Sequence, residues 1–523
     1  MSDTAPRGDF KNEPFTDYSR PEERAAMEAA LAEAKGHLGA AYDLVIGGEH
    51  VRTEAKIRSL NPSRTDEVVG LVSKGTKDHA VRAVLAAHEA FATWKTVPAV
   101  ERSGYLFRAA DAMRRRKHEF SAWLVYEVGK TWPEADADTA EAVDFLEFYG
   151  RENLRYASPQ PLTPMPGEHN ALVYLPLGVG VVVPPWNFPL AIMVGMTTAA
   201  IVAGNTVVLK PSSDAPVIAA RFVALMQSLG LPKGVLNFLP GSGAEVGDPL
   251  VAHPLTRFVA FTGSKTIGLH INELAAKPQP GQRWIKRVVA EMGGKDAIIV
   301  DADTDLDEAA QGVVASAFGF QGQKCSACSR VIVDERIHDA FVEKLKTRTE
   351  ALKVGPADVP ENQMGPVVNA SAMESIRDYI RVGMEEGRLV TGGPDVARDG
   401  GYYLRPTIIA GIASTARIAQ EEIFGPVLAV LKARDFDDAL RIANDSEFGL
   451  TGAVYTRDPA KIERARREFF VGNLYINRKC TGAMVGGHPF GGFNMSGTDS
   501  KAGGRDYLLL FLQAQSIAEK ARS

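Results

Sequence analysis

The stretch Val179–Lys210, VGVVVPPWNFPLAIMVGMTTAAIVAGNTVVLK, decides the fold of this chain. A short apolar run is followed by a proline-rich turn, by a longer apolar run that ends at Gly204-Asn205, and by a third apolar run. Short continuous apolar runs are typical of strands buried on both faces, and Gly-Asn is a frequent signal for the end of a helix. The stretch therefore predicts a strand, a helix and a second strand parallel to the first.

This apolar segment could also be read as a membrane span, but its prolines argue against that. The uninterrupted apolar part after Pro189 is shorter than the ~20 residues that a membrane helix needs. The N-terminal sequence MSDTAPRGDFKNEPF has neither the apolar core of a signal peptide nor the acid-poor composition of a transit peptide. Three cysteines in 523 residues favour a reducing compartment. We therefore expect a soluble, cytoplasmic protein with no membrane partner.

Strands alternate with helices over most of the remaining sequence, which indicates a doubly wound α/β fold. One series surrounds the opening stretch and a second runs from Ala297 to about Asn477. We therefore predict two Rossmann-like domains with parallel sheets that meet near Met292-Gly293-Gly294, since 523 residues suffice for two or three domains. The predicted helices include Lys77–Ala92, Ala99–Val128, Pro133–Tyr149, Pro189–Ala203 and Ala215–Leu229, and the predicted strands include Tyr42–Gly47, Lys56–Leu60, Val235–Leu239 and Arg257–Phe261.

The charge distribution gives no reason to expect a nucleic-acid partner, because the net charge is −5. One basic run, Arg114–Lys117, is flanked by Asp111 and Glu119, which favours a solvated helix face over a phosphate patch. Two glycine-bearing loops, Gly241–Gly247 and Phe261–Gly268, follow predicted strands. A helix N-terminus after such a loop can bind a pyrophosphate, although an ordinary strand-to-helix turn would have the same pattern.

Two of the three cysteines lie in QKCSAC, residues 323–328, as a Cys-x-x-Cys pair. A structural zinc site needs four ligands, usually from two paired clusters, so we expect no metal. A dithiol redox couple of Cys325 and Cys328 stays open, although such pairs normally lie in small domains. A single nucleophilic thiolate at Cys325 is the third possibility, and Lys324 would supply a neighbouring cation. The spacing alone does not decide among these and an inert buried cysteine.

Several motifs, taken together and in their order, resemble the NAD(P)-dependent aldehyde dehydrogenase superfamily over nearly the whole chain. They are PPWNFP at 184–189, GN at 204–205, LKPS at 209–212, FTGS at 261–264, EMGGK at 291–295, GQKC at 322–325, EEIFGP at 421–426 and PFGG at 489–492. The resemblance implies two Rossmann-like domains and a small β-hairpin oligomerisation domain. It assigns residues 1–155 and 175–292 to NAD binding, 293–489 to catalysis, and 156–174 with 490–518 to an arm that builds a homodimer or higher homo-oligomer.

The resemblance also implies the catalytic residues. Cys325 would be the nucleophile and Glu291 the general base that activates water. Asn187 would donate a hydrogen bond, together with the Cys325 backbone N–H, to the oxyanion that forms when a thiolate adds to an aldehyde.

The implied cofactor is NAD, and its expected contacts fall on residues of both halves of the chain. Many NAD-specific relatives have a glutamate three residues after the lysine of LKPS, where this chain has Ser213. In those relatives the carboxylate would repel the 2′-phosphate of NADP. Since this chain lacks it, we expect NADP to be tolerated beside NAD. The implied cofactor-binding residues are Pro185, Trp186, Lys210, Ser213, Gly263, Ser264, Gly268, Glu422 and Phe424.

The stretches GQKCSACSR, CTGA at 480–483 and FNMSGT at 493–498, with the leader EPFTD at 13–17, resemble the branch that oxidises L-glutamate γ-semialdehyde in proline or arginine catabolism. Another small polar aldehyde, such as succinic semialdehyde, is the alternative. Glu141 is our candidate for the substrate ammonium group, with Glu147 as its rival and a solvated helix face as the other interpretation. The further implied substrate-binding residues are Phe188, Lys324, Ser326, Gly482, Ala483 and Phe490, of which the two aromatic rings could also be simple core packing.

Overall fold

The computed structural model describes residues 8–521 of the chain. The part before residue 292 alternates helices and strands. Its elements are α1 Pro21–Gly36, β1 Ala40–Tyr42, β2 Leu44–Ile46, β3 Glu49–Val51, β4 Lys56–Asn61, β5 Arg64–Ser73, α2 Lys77–Trp94, α3 Ala99–Arg115, α4 Lys117–Val128, α5 Trp132–Ala157, β6 Glu168–Pro176, β7 Val179–Val183, α6 Ala191–Val202, β8 Thr206–Leu209, α7 Pro216–Ser228, β9 Leu236–Phe238, α8 Asp248–Ala252, β10 Thr256–Thr262, α9 Lys265–Ala276 and β11 Arg287–Glu291.

The part after residue 292 repeats the alternation. Its elements are β12 Ala297–Val300, α10 Leu306–Phe318, β13 Arg330–Asp334, α11 His338–Glu350, α12 Ala370–Glu386, β14 Arg388–Thr391, β15 Val396–Arg398, β16 Tyr403–Leu404, β17 Thr407–Ala410, α13 Arg417–Gln420, β18 Val427–Ala433, α14 Phe436–Asn444, β19 Phe448–Gly449, β20 Thr451–Tyr455, α15 Pro459–Glu468, β21 Asn473–Ile476, β22 Phe493–Asn494 and β23 Leu512–Lys520.

The stretch Val179–Lys210 forms the predicted strand, helix and strand, β7, α6 and β8. The two strands pair in parallel, with Val179 opposite Thr206. All residues of α6 from Met193 onward are buried, which explains why it has no polar face. A Cβ atom on Gly195 would lie 3.0 Å from the ring of Phe145, so this glycine lets α6 pack closely on α5.

Two seven-stranded sheets organise the chain, as the alternation predicts. The first has the strand order β11-β10-β7-β8-β9-β2-β3, with a parallel core and the antiparallel strands β2 and β3 at one edge. The second has the order β14-β17-β18-β13-β12-β20-β21, and only β14 is antiparallel to its neighbour. The first sheet ends at Glu291 and the second begins at Ala297, on either side of Met292-Gly293-Gly294.

Some predicted element boundaries were wrong. The predicted helix Ala99–Val128 is two helices, because Arg116 leaves the helical region with φ −113° and ψ 25°; no glycine or proline marks this break. The predicted strand Tyr42–Gly47 is divided between two sheets. The basic run Arg114–Lys117 is not simply a solvated helix face. Lys117 Nζ lies 3.0 Å from Asp136 Oδ1, and the Lys117 side chain is largely buried.

The predicted arm contains a two-stranded antiparallel sheet of β6 and β23. These strands reach Pro176 and Lys520, beyond the predicted ranges, whereas residues 490–500 pack beside β11 instead. Among residues 8–521, no helix is both long and apolar enough to span a membrane.

Candidate active site

Cys325 lies on a loop between α10 and β13 that is held in an unusual backbone conformation. Phe320, Gln321 and Gly322 all have positive φ, at 48°, 57° and 68°. Such conformations cost free energy in non-glycine residues and persist where the surroundings enforce them. Gln321 Nε2 donates to the carbonyl of Pro366 at 2.7 Å, which is one of the contacts that hold this nucleophile loop (residues 319–328).

The amide of Asn187 reaches the same loop. Asn187 is buried, and its Nδ2 donates to the carbonyl of Gln323 at 3.0 Å. The side chain of Gln323 is fixed in turn, because its Oε1 accepts from the backbone N–H of Val368 at 2.9 Å. The predicted oxyanion donor and the predicted nucleophile are thus brought together from the two halves of the chain.

The thiol of Cys325 is surrounded by acidic groups rather than by a cation. Burial raises its pKa well above the usual value, and the charges of Asp296, Glu422 and Glu291 raise it further. Lys324 does not supply the expected neighbouring charge, since its ammonium group pairs with Glu134 Oε1 at 2.7 Å. The expectation that Lys324 activates the thiol was therefore wrong, because its long side chain turns toward α5.

Glu291 ends β11 and is held by the C-terminal segment. Its Oε1 accepts from the hydroxyl and the backbone N–H of Ser500 at 2.6 and 3.1 Å, and its Oε2 accepts from Gly492 N at 3.2 Å. Burial nevertheless raises the pKa of Glu291 to about 7. A carboxyl group with this pKa can exchange protons near neutral pH, which suits a general base.

Glu422 and Phe424 line the other side of the nucleophile loop. A Cβ atom on Gly293 would come within 2.1 Å of the Glu422 carboxylate, so any larger residue there would displace that carboxylate. The Gly294 N–H donates to Glu422 Oε1 at 3.1 Å, while burial raises the pKa of Glu422 to about 7. Phe424 has a φ of 57° and packs edge-on against Trp186, with ring centroids 5.5 Å apart.

Both glycine-bearing loops and Lys210 lie at the carboxyl ends of the strands of the first sheet. Ser264 caps α9, with its Oγ accepting from Ile267 N at 3.4 Å. A Cβ atom on Gly268 would lie 2.4 Å from Met292 Sδ, so this glycine lets α9 approach β11. Burial lowers the pKa of Lys210 to about 8. Dinucleotides bind at this edge of open parallel sheets, so the residues present fit NAD.

The remaining predicted cofactor residues also follow strands of the first sheet. A Cβ atom on Gly263 would lie 2.6 Å from the ring of Phe261, so this position too requires glycine. Ser213 is exposed just after the β8 strand. Pro185 precedes Trp186 in the turn between β7 and α6.

A buried charged cluster under Phe188 was missed from the sequence. Lys130 is fully buried, and its Nζ lies 3.0 Å from Asp138 Oδ2 and 3.8 Å from the centroid of the Phe188 ring. Lys324, bonded to Glu134, lies 5.9 Å from the same centroid. The only sign in the sequence was that Lys130 stands between apolar and small residues in VGKTW.

Glu141 and Glu147, the two candidates for an ammonium partner, differ in their surroundings. Burial raises the pKa of Glu141 to about 8, and the charges of Asp138 and Asp144 contribute. Glu141 is partly buried on α5, so it does not lie on a fully solvated helix face. Glu147 forms ion pairs with two arginines. Arg114 Nη2 lies 3.4 Å from Glu147 Oε1, and Arg151 is bonded to Glu147 Oε2.

The loop of residues 481–483, called the carboxylate loop here after the role that the resemblance implies for it, follows Cys480, which contacts the nucleophile loop. The carbonyl of Ser326 accepts from Cys480 Sγ at 3.4 Å. Gly482 has a φ of 78°, and a Cβ atom there would lie 3.3 Å from the side chain of Lys479. Ala483 follows in the same loop, and Phe490 is partly exposed where the chain continues.

Cys328, at the end of the nucleophile loop, and Cys480, just before the carboxylate loop, are both buried. Cys328 Sγ donates to the carbonyl of Arg330 at 3.3 Å, as expected for a packing residue. Within residues 8–521 there is no cluster of three or more His, Cys, Asp or Glu side chains that could hold a metal ion.

Known proteins resemble this chain over almost its full length. A sequence model of the Aldehyde dehydrogenase family matches residues 50–517. The 1-pyrroline-5-carboxylate dehydrogenase of Geobacillus thermodenitrificans (strain NG80-2) is 57% identical over 511 residues, which cover 98% of this chain and 99% of the relative.

Two solved structures give the same picture. The 1-pyrroline-5-carboxylate dehydrogenase from Thermus with bound NAD has a TM-score of 0.97 and 51% identity, covering 98% of this chain and 99% of that chain. The betaine aldehyde dehydrogenase of Staphylococcus aureus in complex with NAD+ has a TM-score of 0.88 and 30% identity, covering 95% of this chain and 98% of that chain. This chain belongs to the aldehyde dehydrogenase family.

Proposed function

We propose that this chain oxidises L-glutamate γ-semialdehyde to L-glutamate with NAD, in the breakdown of proline or arginine. The observation that carries the proposal is the 57% identity, over nearly the whole of both chains, to a protein named 1-pyrroline-5-carboxylate dehydrogenase. The likeness at 51% identity to the NAD-bound Thermus structure supports the cofactor.

The reaction begins at Cys325, whose thiolate adds to the aldehyde carbon to give a thiohemiacetal. Because burial and acidic neighbours keep the thiol protonated, a base must remove its proton first. Glu291 and Glu422 are both nearby carboxyl groups with a pKa of about 7, and we assign the step to Glu291, the base that the resemblance implies. Asn187 Nδ2 donates to the new oxyanion in place of its present bond to Gln323.

Oxidation leaves a thioester on Cys325. NAD, when bound, supplies the hydride acceptor and a positively charged ring. Glu291 first releases to solvent the proton that it took from Cys325. It then takes a proton from the water that attacks the thioester carbonyl and passes it to the departing thiolate, so that L-glutamate leaves and the thiol is restored. Residues at the carboxyl edge of the first sheet would hold the adenosine ribose and the pyrophosphate: Lys210 and Ser213 at the ribose, and Gly263, Ser264 and Gly268 at the pyrophosphate. The nicotinamide end would contact Pro185, Trp186, Glu422 and Phe424.

The substrate is an α-amino acid at the end remote from its aldehyde. Glu141 would bind the ammonium group, since its carboxyl group is partly buried and Glu147 is already paired with arginines. The carboxylate loop, through Gly482 and Ala483, would bind the carboxylate together with Ser326. Phe188 and Phe490 would enclose the aliphatic stem, with Lys324 at the pocket wall.

We assign NAD binding to residues 1–155 and 175–292 and catalysis to residues 293–489. The sheet of β6 and β23, with its exposed Leu175 and Ile517, would join two copies of the chain, because exposed apolar residues on a two-stranded sheet favour association. The free cysteines in the described residues suit a reducing, cytoplasmic compartment.

Steady-state kinetics with a panel of aldehydes tests the proposal. We expect kcat/KM for L-glutamate γ-semialdehyde to exceed that for succinic semialdehyde and for propanal, with NAD preferred and NADP used. Equal kcat/KM values for all three aldehydes would refute the substrate assignment and leave another small polar aldehyde as the substrate.

A further inference from the structure

The N-terminal segment, residues 8–17, forms neither helix nor strand, yet it is bound along α5. The backbone N–H of Glu13 donates to Asp144 Oδ1 at 2.6 Å. Thr16 Oγ1 donates to Asp136 Oδ1 at 2.5 Å, and its backbone N–H donates to Asp136 Oδ2 at 2.8 Å. These bonds fix the segment to the helix that carries Glu141.

Asn12 joins this helix to the carboxylate loop. Its Nδ2 donates to Asp144 Oδ2 at 2.8 Å and to the carbonyl of Val485 at 3.0 Å. Asp144 lies one helical turn after Glu141, so both side chains are on the same face of α5. Val485 follows the carboxylate loop, residues 481–483, almost directly. One amide thus links the element that carries the ammonium partner to the element that binds the carboxylate.

A second contact joins the same three parts of the chain. Phe10 packs edge-on against Phe148 of α5, with ring centroids 5.1 Å apart. A Cβ atom on Gly486 would lie 3.1 Å from both rings. The N-terminal segment, α5 and the chain after the carboxylate loop therefore meet at Phe10, Phe148 and Gly486.

The hydrogen bond from Asn12 also favours the charged form of Asp144. Burial raises the pKa of Asp144 to about 6, and the bonds from Asn12 and the Glu13 N–H oppose that rise. The charge of Asp144 is in turn one cause of the raised pKa of Glu141. The position of Asp144 therefore affects how strongly Glu141 attracts a cation.

The ammonium and carboxylate groups of an α-amino acid are attached to the same carbon atom, so a pocket must hold their two partners at a fixed spacing. We propose that Asn12 is a positioning residue that sets this spacing, and that the N-terminal segment thereby selects α-amino-acid aldehydes. This inference rests on the proposed function. Asn12 does not touch the reacting atoms, and its effect should be confined to substrates that carry the amino-acid group.

The test uses full-length Asn12→Ala and Asn12→Asp, with Lys11→Ala as the control because Lys11 is an exposed neighbour in the same segment. Asn12→Asp keeps the shape of the side chain but loses the donor and faces a carboxylate. Each variant is assayed with L-glutamate γ-semialdehyde and with propanal, at saturating NAD. Losing a hydrogen bond to a charged group should raise KM for the semialdehyde roughly tenfold.

The proposal predicts that both Asn12 variants show this rise, that kcat/KM for propanal stays within about twofold, and that Lys11→Ala behaves like the wild type. An unchanged KM for the semialdehyde would overturn it. So would equal losses with both aldehydes, which would make Asn12 a residue for general stability. A wild-type enzyme without preference for the semialdehyde would instead refute the proposed function.

Discussion

At the scale of single residues, Cys325 and Cys328 are chemically alike but lie in different surroundings. Cys325 is partly exposed beside Asn187 and Glu291, whereas Cys328 is fully buried and bonded to a backbone carbonyl. We expect Cys325→Ala to lower kcat by about a thousandfold or more, because no other thiol can form the thioester. Cys328→Ala should keep activity within a few fold and lose roughly 1–2 kcal/mol of stability. Steady-state rates and urea unfolding of the two variants check this, and equal loss of activity would favour the dithiol couple.

The pH dependence of the rate should report on Glu291. Its pKa is raised to about 7 by burial, so the carboxylate form that acts as base is present above that pH and is lost below it. We therefore expect the rate of thioester hydrolysis to fall roughly tenfold per pH unit below pH ~7. In Glu291→Gln this acid limb should disappear and the rate should drop about 10²–10⁴-fold. An unchanged pH profile in the variant would exclude Glu291 as the base.

Residue identities were easier to predict than their electrostatic environment. The motifs predicted Asn187, Glu291 and Cys325 as one set of catalytic residues, and in the structure all three lie near the nucleophile loop. The acidic surroundings of Cys325 could not be predicted, because Asp296 and Glu422 arrive from separate elements. The direction taken by the Lys324 side chain is likewise set by its partner Glu134, which lies far away in the sequence.

At the scale of elements, the nucleophile loop depends on Gly322. Its φ is 68°, and a Cβ atom would lie 2.3 Å from the carbonyl oxygen of Gly425. Because backbone atoms cannot move aside cheaply, Gly322→Ala should displace the loop and lower kcat about 10²-fold. Gly230 has a φ of 78° and no atom within 4 Å of an added Cβ. Gly230→Ala should cost roughly 1 kcal/mol without changing kcat.

Kinetics and thermal unfolding of both glycine variants separate the two effects. A normal kcat in Gly322→Ala would show that the loop tolerates a shift, and its strained conformation would then have no catalytic role.

The elements themselves were predictable where one force dominated. Strands buried on both faces, such as β7 and β8, are continuous apolar runs. The break at Arg116 was not predictable, because no helix-breaking residue marks the end of α3 there. The path of residues 8–17 was also hidden, since a segment without regular structure has no periodicity.

At the scale of the whole molecule, the arm of β6 and β23 is the surface that we expect to join copies of the chain. Ile517→Asp should weaken association, because it places a charge on an apolar face of the arm. Ser516→Ala, an exposed position on the opposite face of the same strand, is the control and should associate normally. Sedimentation velocity measures the mass of the assembly. An unchanged mass for Ile517→Asp would show that the interface lies elsewhere on the chain.

The central claim is that the pocket recognises an α-amino-acid aldehyde through Glu141. The most direct measurement compares kcat/KM for L-glutamate γ-semialdehyde and for 5-oxopentanoate, which lacks only the α-amino group, in the wild type, Glu141→Gln and Glu147→Gln. We predict a preference of about 10²-fold for the amino-bearing aldehyde in the wild type and in Glu147→Gln, since the analogue leaves the Glu141 carboxyl group without its ammonium partner. Glu141→Gln should lose most of that preference. Equal use of both aldehydes by the wild type, or a full preference in Glu141→Gln, would contradict the account.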